Sequence, residues 1–190
     1  MKARARCASR SFLGAAALLG SKTGYARDSL DIEVAPRVGI ATSTTIGPAA
    51  ENPLGVGVGG RAGASYREFY GGLVGMYYLG STQAVGSGSA SAHTVLSGIE
   101  VGYTLPVLAL RIRPLIGIGN AWITASDASL EASKSNLYLE PGLAAFVPIG
   151  YLFAGGDLNA LVFPNLTAPG ASKSMAAVLL SFHAQVGFRF

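Results

Sequence analysis

Ala176-Ala177-Val178-Leu179-Leu180-Ser181-Phe182-His183-Ala184-Gln185-Val186-Gly187-Phe188-Arg189-Phe190 is the stretch whose reading decides the fold. Ala176, Val178, Leu180, Phe182, Ala184, Val186, Phe188 and Phe190 alternate with Leu179, Ser181, His183, Gln185, Gly187 and Arg189. Neighbouring side chains of an extended chain point to opposite faces, so this is a strand with one wholly apolar face and one mixed face. Seven segments upstream repeat the pattern. Leu30, Ile32, Val34, Val38 and Ile40 oppose Asp31, Glu33, Arg37 and Gly39; Leu54, Val56, Val58, Ala62, Ala64 and Tyr66 oppose Gly55, Gly57, Gly59, Arg61, Gly63, Ser65 and Arg67. In Tyr70 to Leu79 the parity stays open, because Tyr70, Val74, Met76 and Tyr78 share one face while Leu73, Tyr77 and Leu79 take the other. Four more follow, at Val95 to Leu105, Leu110 to Trp122, Leu137 to Val147 and Leu152 to Val162.

The connections between these eight segments alternate in length. Short ones (Glu68-Phe69, Pro106 to Ala109, Pro148 to Tyr151) are interleaved with long ones (Thr42 to Pro53, Gly80 to Thr94, Ile123 to Asn136, Phe163 to Met175). Strands of about ten residues, even in number, with tight turns at one end and long loops at the other, are what a transmembrane barrel requires. No window holds 18 consecutive apolar residues. The expected fold is therefore all-β, an eight-stranded antiparallel up-and-down transmembrane β-barrel spanning residues 27–190. Pro36, Pro114 and Pro141 interrupt it, since each lacks a ladder donor. All three share the apolar parity, so bulges or positions near the membrane interface are expected there.

Half of the chain is hydrophobic and only 13% charged, which points toward lipid contact. The N-terminus carries Lys2, Arg4, Arg6 and Arg10, then the apolar run Phe12 to Gly20, then Gly24-Tyr25-Ala26. This is the form of a cleaved export signal over residues 1–26, with an apolar run too short to span a membrane. Its removal takes five basic residues and leaves nine against ten acids, so no nucleic-acid partner is expected. The single cysteine, Cys7, leaves with the signal. No cofactor and no metal site are expected.

The closing segment, with its final Phe190 and apolar Phe182, Ala184, Val186 and Phe188 at alternate positions, resembles the last strand of bacterial outer-membrane barrels. The resemblance implies that these five residues form a signal read by the barrel-assembly machinery. The whole chain resembles the small eight-stranded barrels related to the transmembrane domain of outer-membrane protein A. It implies an outer-membrane location with both termini in the periplasm, and contact with outer-membrane lipids and lipopolysaccharide. A monomer is expected, and a peptidoglycan-binding domain is not, because no residues follow Phe190.

A charge facing hydrocarbon at mid-bilayer costs roughly 2–4 kcal/mol, so the charged faces are expected to point inward. The lumen would then hold Asp31, Glu33, Glu100, Glu140 and Asp157 with Arg37, Arg61, Arg67, Arg111, Arg113 and Arg189. With hairpins centred on Pro106-Val107 and Pro148-Ile149, Glu100 faces Arg113, or Arg111 after a slip of two residues, and Glu140 faces Asp157. The expectation is one layer of Glu100, Arg113, Glu140 and Asp157, closed by Arg61 or Arg37. Tyr66, Tyr70, Tyr103, Phe188 and Phe190 on the turn side, and Tyr78 and Trp122 on the loop side, are expected to form two aromatic belts. Gly55 to Gly60 imitates a dinucleotide fingerprint without the helix that should follow, so room inside the barrel explains these glycines better. Three functions stay open: a structural or surface-interaction protein with an ion-paired lumen, a narrow gated channel, and a lipid-modifying enzyme using His183 and Ser181. His93 reads as a loop residue.

Overall fold

The alternation is realised as eight long strands in a computed structural model that describes residues 30–43, 54–80, 83–85, 88–126, 131–167, 169 and 172–190. They are β1 (Leu30–Ser43), β2 (Val56–Tyr66), β3 (Phe69–Leu79), β4 (Gly88–Tyr103), β5 (Leu110–Ser126), β6 (Glu131–Ile149), β7 (Leu152–Leu166) and β8 (Met175–Arg189). Each pairs antiparallel with its neighbour in the chain, and β1 also pairs with β8, so the sheet closes on itself. Closure removes every free edge, which is what allows a sheet to lie in a solvent without hydrogen-bonding partners. Two short arms extend the ladder: Gln83–Val85 against the start of β4, and Leu105–Val107 against the start of β5. The expected export signal lies outside the described residues, as does most of the first long connection.

All four long connections prove to be partly strand, two of them for much of their length. β5 and β6 stay paired as far as Ser126↔Glu131, and β4 begins at Gly88 rather than at Val95. Threonine, serine and alanine dominate there, so the hydrophobic alternation fades while the backbone ladder continues. A hydrogen-bonded ladder needs no apolar face once both sides are polar, and that is why periodicity alone ends the strands early.

The three turn-side loops contain two residues each. Tyr66↔Phe69, Val107↔Leu110 and Ile149↔Leu152 close them, leaving Arg67-Glu68, Leu108-Ala109 and Gly150-Tyr151 as the loop residues. The first residue of each has positive φ: 56° at Arg67, 56° at Leu108 and 64° at Gly150. Two-residue hairpins need this handedness to match strand twist, and proline, fixed near −65°, cannot supply it. The last two turns therefore fall two residues beyond the expected Pro106-Val107 and Pro148-Ile149. The shift corrects two expected pairings. Glu100 lies opposite Gly117 rather than Arg113, and Asp157 opposite Ala144 rather than Glu140.

The prolines do not sit at bulges. Pro36 falls where the β1–β8 ladder lapses between Val34↔Phe188 and Arg37↔Gln185. Pro141 falls where β6–β7 lapses between Leu139↔Val162 and Gly142↔Asn159. Pro114 falls where pairing with β5 passes from Gly102↔Leu115 to Leu105↔Ile112. In each case the register is the same on both sides of the gap, and the proline's other neighbour stays paired with it, as Pro36↔Gly60, Ile116↔Pro141 and Pro114↔Leu143. A missing donor thus interrupts one ladder locally instead of inserting a residue.

Burial is inverted relative to a water-soluble protein. Ile32, Val58, Ile99, Ile118, Leu158 and Phe182 are exposed on the outer wall, while Arg37 and Arg113 are each 1% exposed inside. The five residues of the C-terminal pattern, Phe182, Ala184, Val186, Phe188 and Phe190, all face outward. Tyr66, Tyr103 and Trp122 face outward as expected, but Tyr70 and Tyr78 are buried in the lumen, and Phe69 and Tyr77 take the outer positions on β3. Leu54, placed on the outer face by its parity with Val56, is buried as well, because it precedes β2 and folds over the lumen.

Inward glycines make room for these side chains. A Cβ on Gly57 would strike the Tyr78 ring. Gly57→Val is expected to lower stability by roughly 1–3 kcal/mol, the usual cost of overpacking, in urea titrations of the refolded barrel.

Candidate functional site

Among the described residues, polar and charged side chains converge in the lumen, which is filled in three successive zones. Nearest the turns, Glu33 of β1 accepts two hydrogen bonds from Arg113 of β5, at 2.9 and 3.0 Å, and one each from Ser65 (2.9 Å) and Arg189 (2.6 Å). Arg189 also lies 3.4 Å from Asp31 at the mouth. The Arg113 guanidinium donates through Nε to Thr104 and lies 4.0 Å from the Tyr70 ring centroid and 5.0 Å from that of Phe146. Paired bidentately and flanked by two rings, it uses the geometry in which arginine outperforms lysine.

The central zone is a second charged cluster. Arg37 of β1 donates through Nη2 to Asp157 of β7 at 2.5 Å. Asp157 is also 2.7 Å from Nδ1 of His183, whose Nε2 is 2.5 Å from the Tyr78 hydroxyl. Because a carboxylate can only accept, Nδ1 carries the hydrogen given to Asp157, and Nε2 is left to accept from the Tyr78 hydroxyl. Arg61 of β2 pairs with Glu100 of β4, at 3.2 Å from Nε and 3.3 Å from Nη2, and reaches within 3.6 Å of Asp157. Tyr70 ties the two charged zones together: its ring lies under Arg113, and its hydroxyl donates to Glu100 at 2.9 Å. Asn159 bridges Glu140 and Asp157 through Nδ2, at 2.9 and 2.7 Å.

Toward the loops the lumen changes character. Leu54, Met76, Leu96, Leu161, Phe163 and Leu179 converge with Tyr78 and Tyr138 into one buried apolar cluster that caps the central zone. Phe163 and Tyr138 bring their ring centroids within 6.1 Å of each other. A smaller cluster of Ala35, Phe146 and Phe153 lines the turn-side wall.

Measured against the sequence reading, Arg37, Arg61, Glu100, Arg113, Glu140 and Asp157 all enter the lumen, but not as a single layer. Arg113 belongs with Glu33 near the mouth, because the displaced hairpin separates it from Glu100. Glu140 reaches Asp157 through Asn159 rather than across a strand pair. Arg111 lies half-buried at the turn-side end and forms no ion pair with the described residues. Arg67 leaves the lumen altogether: it occupies a turn and lies over the Tyr66 ring at 5.4 Å. His183 and Ser181 are both buried, and the imidazole is engaged by Asp157 and Tyr78. His93 belongs to β4 and stands beside Tyr77, with ring centroids 5.8 Å apart. Sequence reasoning misses the roles of Tyr70, Tyr78 and Asn159. Parity with Arg37 and Glu100 would find Tyr70 and Tyr78 once the ambiguity of β3 is resolved in favour of Leu73, Tyr77 and Leu79 as the outer face.

No protein-family model matches the chain, and no curated protein matches it in sequence. Solved structures do match in fold. A major outer membrane protein from Thermus thermophilus aligns over 85% of this chain and all of its own, with a TM-score of 0.64 at 13% identity. The N-terminal β-barrel domain of Pseudomonas aeruginosa OprF aligns over 84% of this chain and 97% of its own, with a TM-score of 0.57 at 15% identity. The fold of this chain is that of the small bacterial outer-membrane barrels.

Proposed function

We propose that this chain is an integral bacterial outer-membrane protein whose barrel acts as a closed structural anchor, presenting its long connections to partners outside the cell. In this reading residues 1–26 are a cleaved export signal and residues 27–190 the barrel, with both termini in the periplasm. Phe182, Ala184, Val186, Phe188 and Phe190 serve as the assembly signal, and outer-membrane lipids and lipopolysaccharide surround the wall. The observation that carries the reading is the pairing of an apolar outer wall with a filled interior. Exposed Ile, Leu, Val and Phe side chains cover the outside, whereas Glu33, Arg37, Arg61, Glu100, Arg113, Glu140 and Asp157 point inward and are buried. Hydrocarbon tolerates such a wall and water does not.

A closed lumen is favoured over a channel because two independent barriers lie in series: the ion-paired zones and, above them, the apolar cluster. Eight strands enclose a space that side chains fill. The Tyr78, His183, Asp157 chain has the polarity of a catalytic relay, yet all three residues are at most 2% exposed. A lipid substrate outside the wall has no route to them, so we read the chain as structural.

Planar-bilayer recordings test the proposal. The mature wild type, once shown to need detergent for extraction and to migrate as a heat-modifiable barrel, is expected to give no resolvable conductance steps. Stable steps at neutral pH would replace the anchor with a pore.

A further inference from the structure

The turn-side end of the outer wall changes abruptly in side-chain size. Leu30, Tyr66, Phe69 and Tyr103 follow one another across β1 to β4 and form an outward rim. The next outward row, Ala64, Gly71, Val101 and Ile116, lies one step deeper in the wall. Phe69 stands edge-on to Tyr103 with ring centroids 5.2 Å apart, whereas a Cβ on Gly71 would meet nothing within 4 Å. This step from large to small leaves an apolar hollow of about 750 Å³ just inside the rim. Just beyond the rim stands the Arg67-Glu68 turn, which alone among the three turn-side loops carries charge, the others being Leu108-Ala109 and Gly150-Tyr151. The turn is held in place. Arg67 has positive φ and lies over the Tyr66 ring at 5.4 Å, and the Glu68 carbonyl accepts a 2.7 Å hydrogen bond from the Thr104 amide.

We propose that this hollow and the turn beside it seat one phospholipid whose zwitterionic headgroup ends in a primary ammonium. The inference deepens the membrane reading above and rests on it. Aromatic rims mark headgroup depth in a bilayer, so the hollow lies where an acyl chain begins and the turn where a headgroup lies. A guanidinium offers phosphate two parallel N–H donors, and contact with the Tyr66 face pre-orients it. Glu68 follows directly in the chain, and the ammonium of such a headgroup is two carbons beyond its phosphate ester oxygen, so one molecule spans both charges. The charge pattern discriminates between lipids. A glycerol headgroup offers Arg67 a phosphate but brings no cation to Glu68, and a choline headgroup has no N–H to donate to a carboxylate. An ammonium both donates and neutralises.

Native mass spectrometry tests the seat. The mature chain is released from detergent micelles that contain phosphatidylethanolamine, phosphatidylcholine or phosphatidylglycerol with matched acyl chains. Wild type is expected to retain the first several-fold more than either of the others. Arg67→Asn, which tolerates the positive φ of the turn, should cut that retention several-fold. Glu68→Gln keeps the backbone bond to Thr104 and should erase the preference over phosphatidylcholine. Gly71→Leu fills the hollow without a clash at Cβ and should lower retention of all three lipids. Three results each overturn the seat but leave the membrane reading standing, provided the barrels stay heat-modifiable: equal retention of the three lipids by wild type, a preference that survives Glu68→Gln, or retention that survives both Arg67→Asn and Gly71→Leu. A chain that folds in water without detergent and takes up no lipid would overturn both.

Discussion

Arg37→Ala is expected to destabilise the barrel by about 3 kcal/mol, the lower end of the roughly 3–5 kcal/mol lost when one member of a buried ion pair is removed. The side chains of Arg37 and Asp157 are both fully buried, and Arg37 is the cation closest to Asp157. Without it, Asp157, Glu100 and Glu140 share Arg61, whose nearest approach to Asp157 is 3.6 Å. The lower end is appropriate because Nε and Nη1 of Arg37 have no hydrogen-bond partner among the described residues, so the substitution also removes two unsatisfied donor nitrogens. Urea unfolding in lipid vesicles measures the loss through Trp122, the only tryptophan, which faces outward from β5 and reports transfer from lipid to water. Combining Arg37→Met with Asp157→Leu should recover most of the stability, since a matched apolar pair removes both charges together. A single-variant loss below about 1 kcal/mol would mean that the central zone does not depend on this pair.

The sequence exposes the barrel so fully because the membrane enforces a two-valued rule at every outward position, and β8 obeys it from Val178 to Phe190. The lumen is harder to read because an inward position accepts either a charge with a partner or an apolar group with neighbours. Leu161 and Asp157 both face inward, four residues apart on β7, yet one belongs to the apolar cap and the other to the ion-paired centre. No local pattern separates them. The partners of each inward residue are set by register, and register is set by turns whose positive φ at Leu108 and Arg67 has no signature in leucine or arginine. A hairpin displaced by two residues leaves every inward residue facing inward but gives it a different neighbour. Hence alternation finds nearly all the lumen charges and still mispairs Glu100 with Arg113.

That distinction matters most for conduction, where the expected result is an absence of additivity. An ion-paired lumen alone would open when Arg113 or Glu100 is truncated. Two barriers in series behave otherwise, since either one suffices to stop ions. Arg37→Ala/Arg113→Ala removes one arginine from each charged zone but leaves Phe163, Leu161 and Leu179 across the loop-side half, where an apolar constriction excludes hydrated ions. Phe163→Ala/Leu179→Ala thins the cap but leaves Glu33 clamped by Arg113 and Asp157 by Arg37. Each double variant is expected to remain silent in planar bilayers, and the quadruple variant to pass resolvable current. Folding of all three is checked by heat-modifiable migration, with Phe163→Ala alone as the milder substitute if the cap variant fails to assemble. Current through the charge variant alone would show that the apolar cluster admits water and does not act as a barrier. Silence in a correctly folded quadruple variant would mean that the remaining side chains, Tyr70, Tyr78 and Tyr138 foremost, collapse into the space and close it without help from either zone.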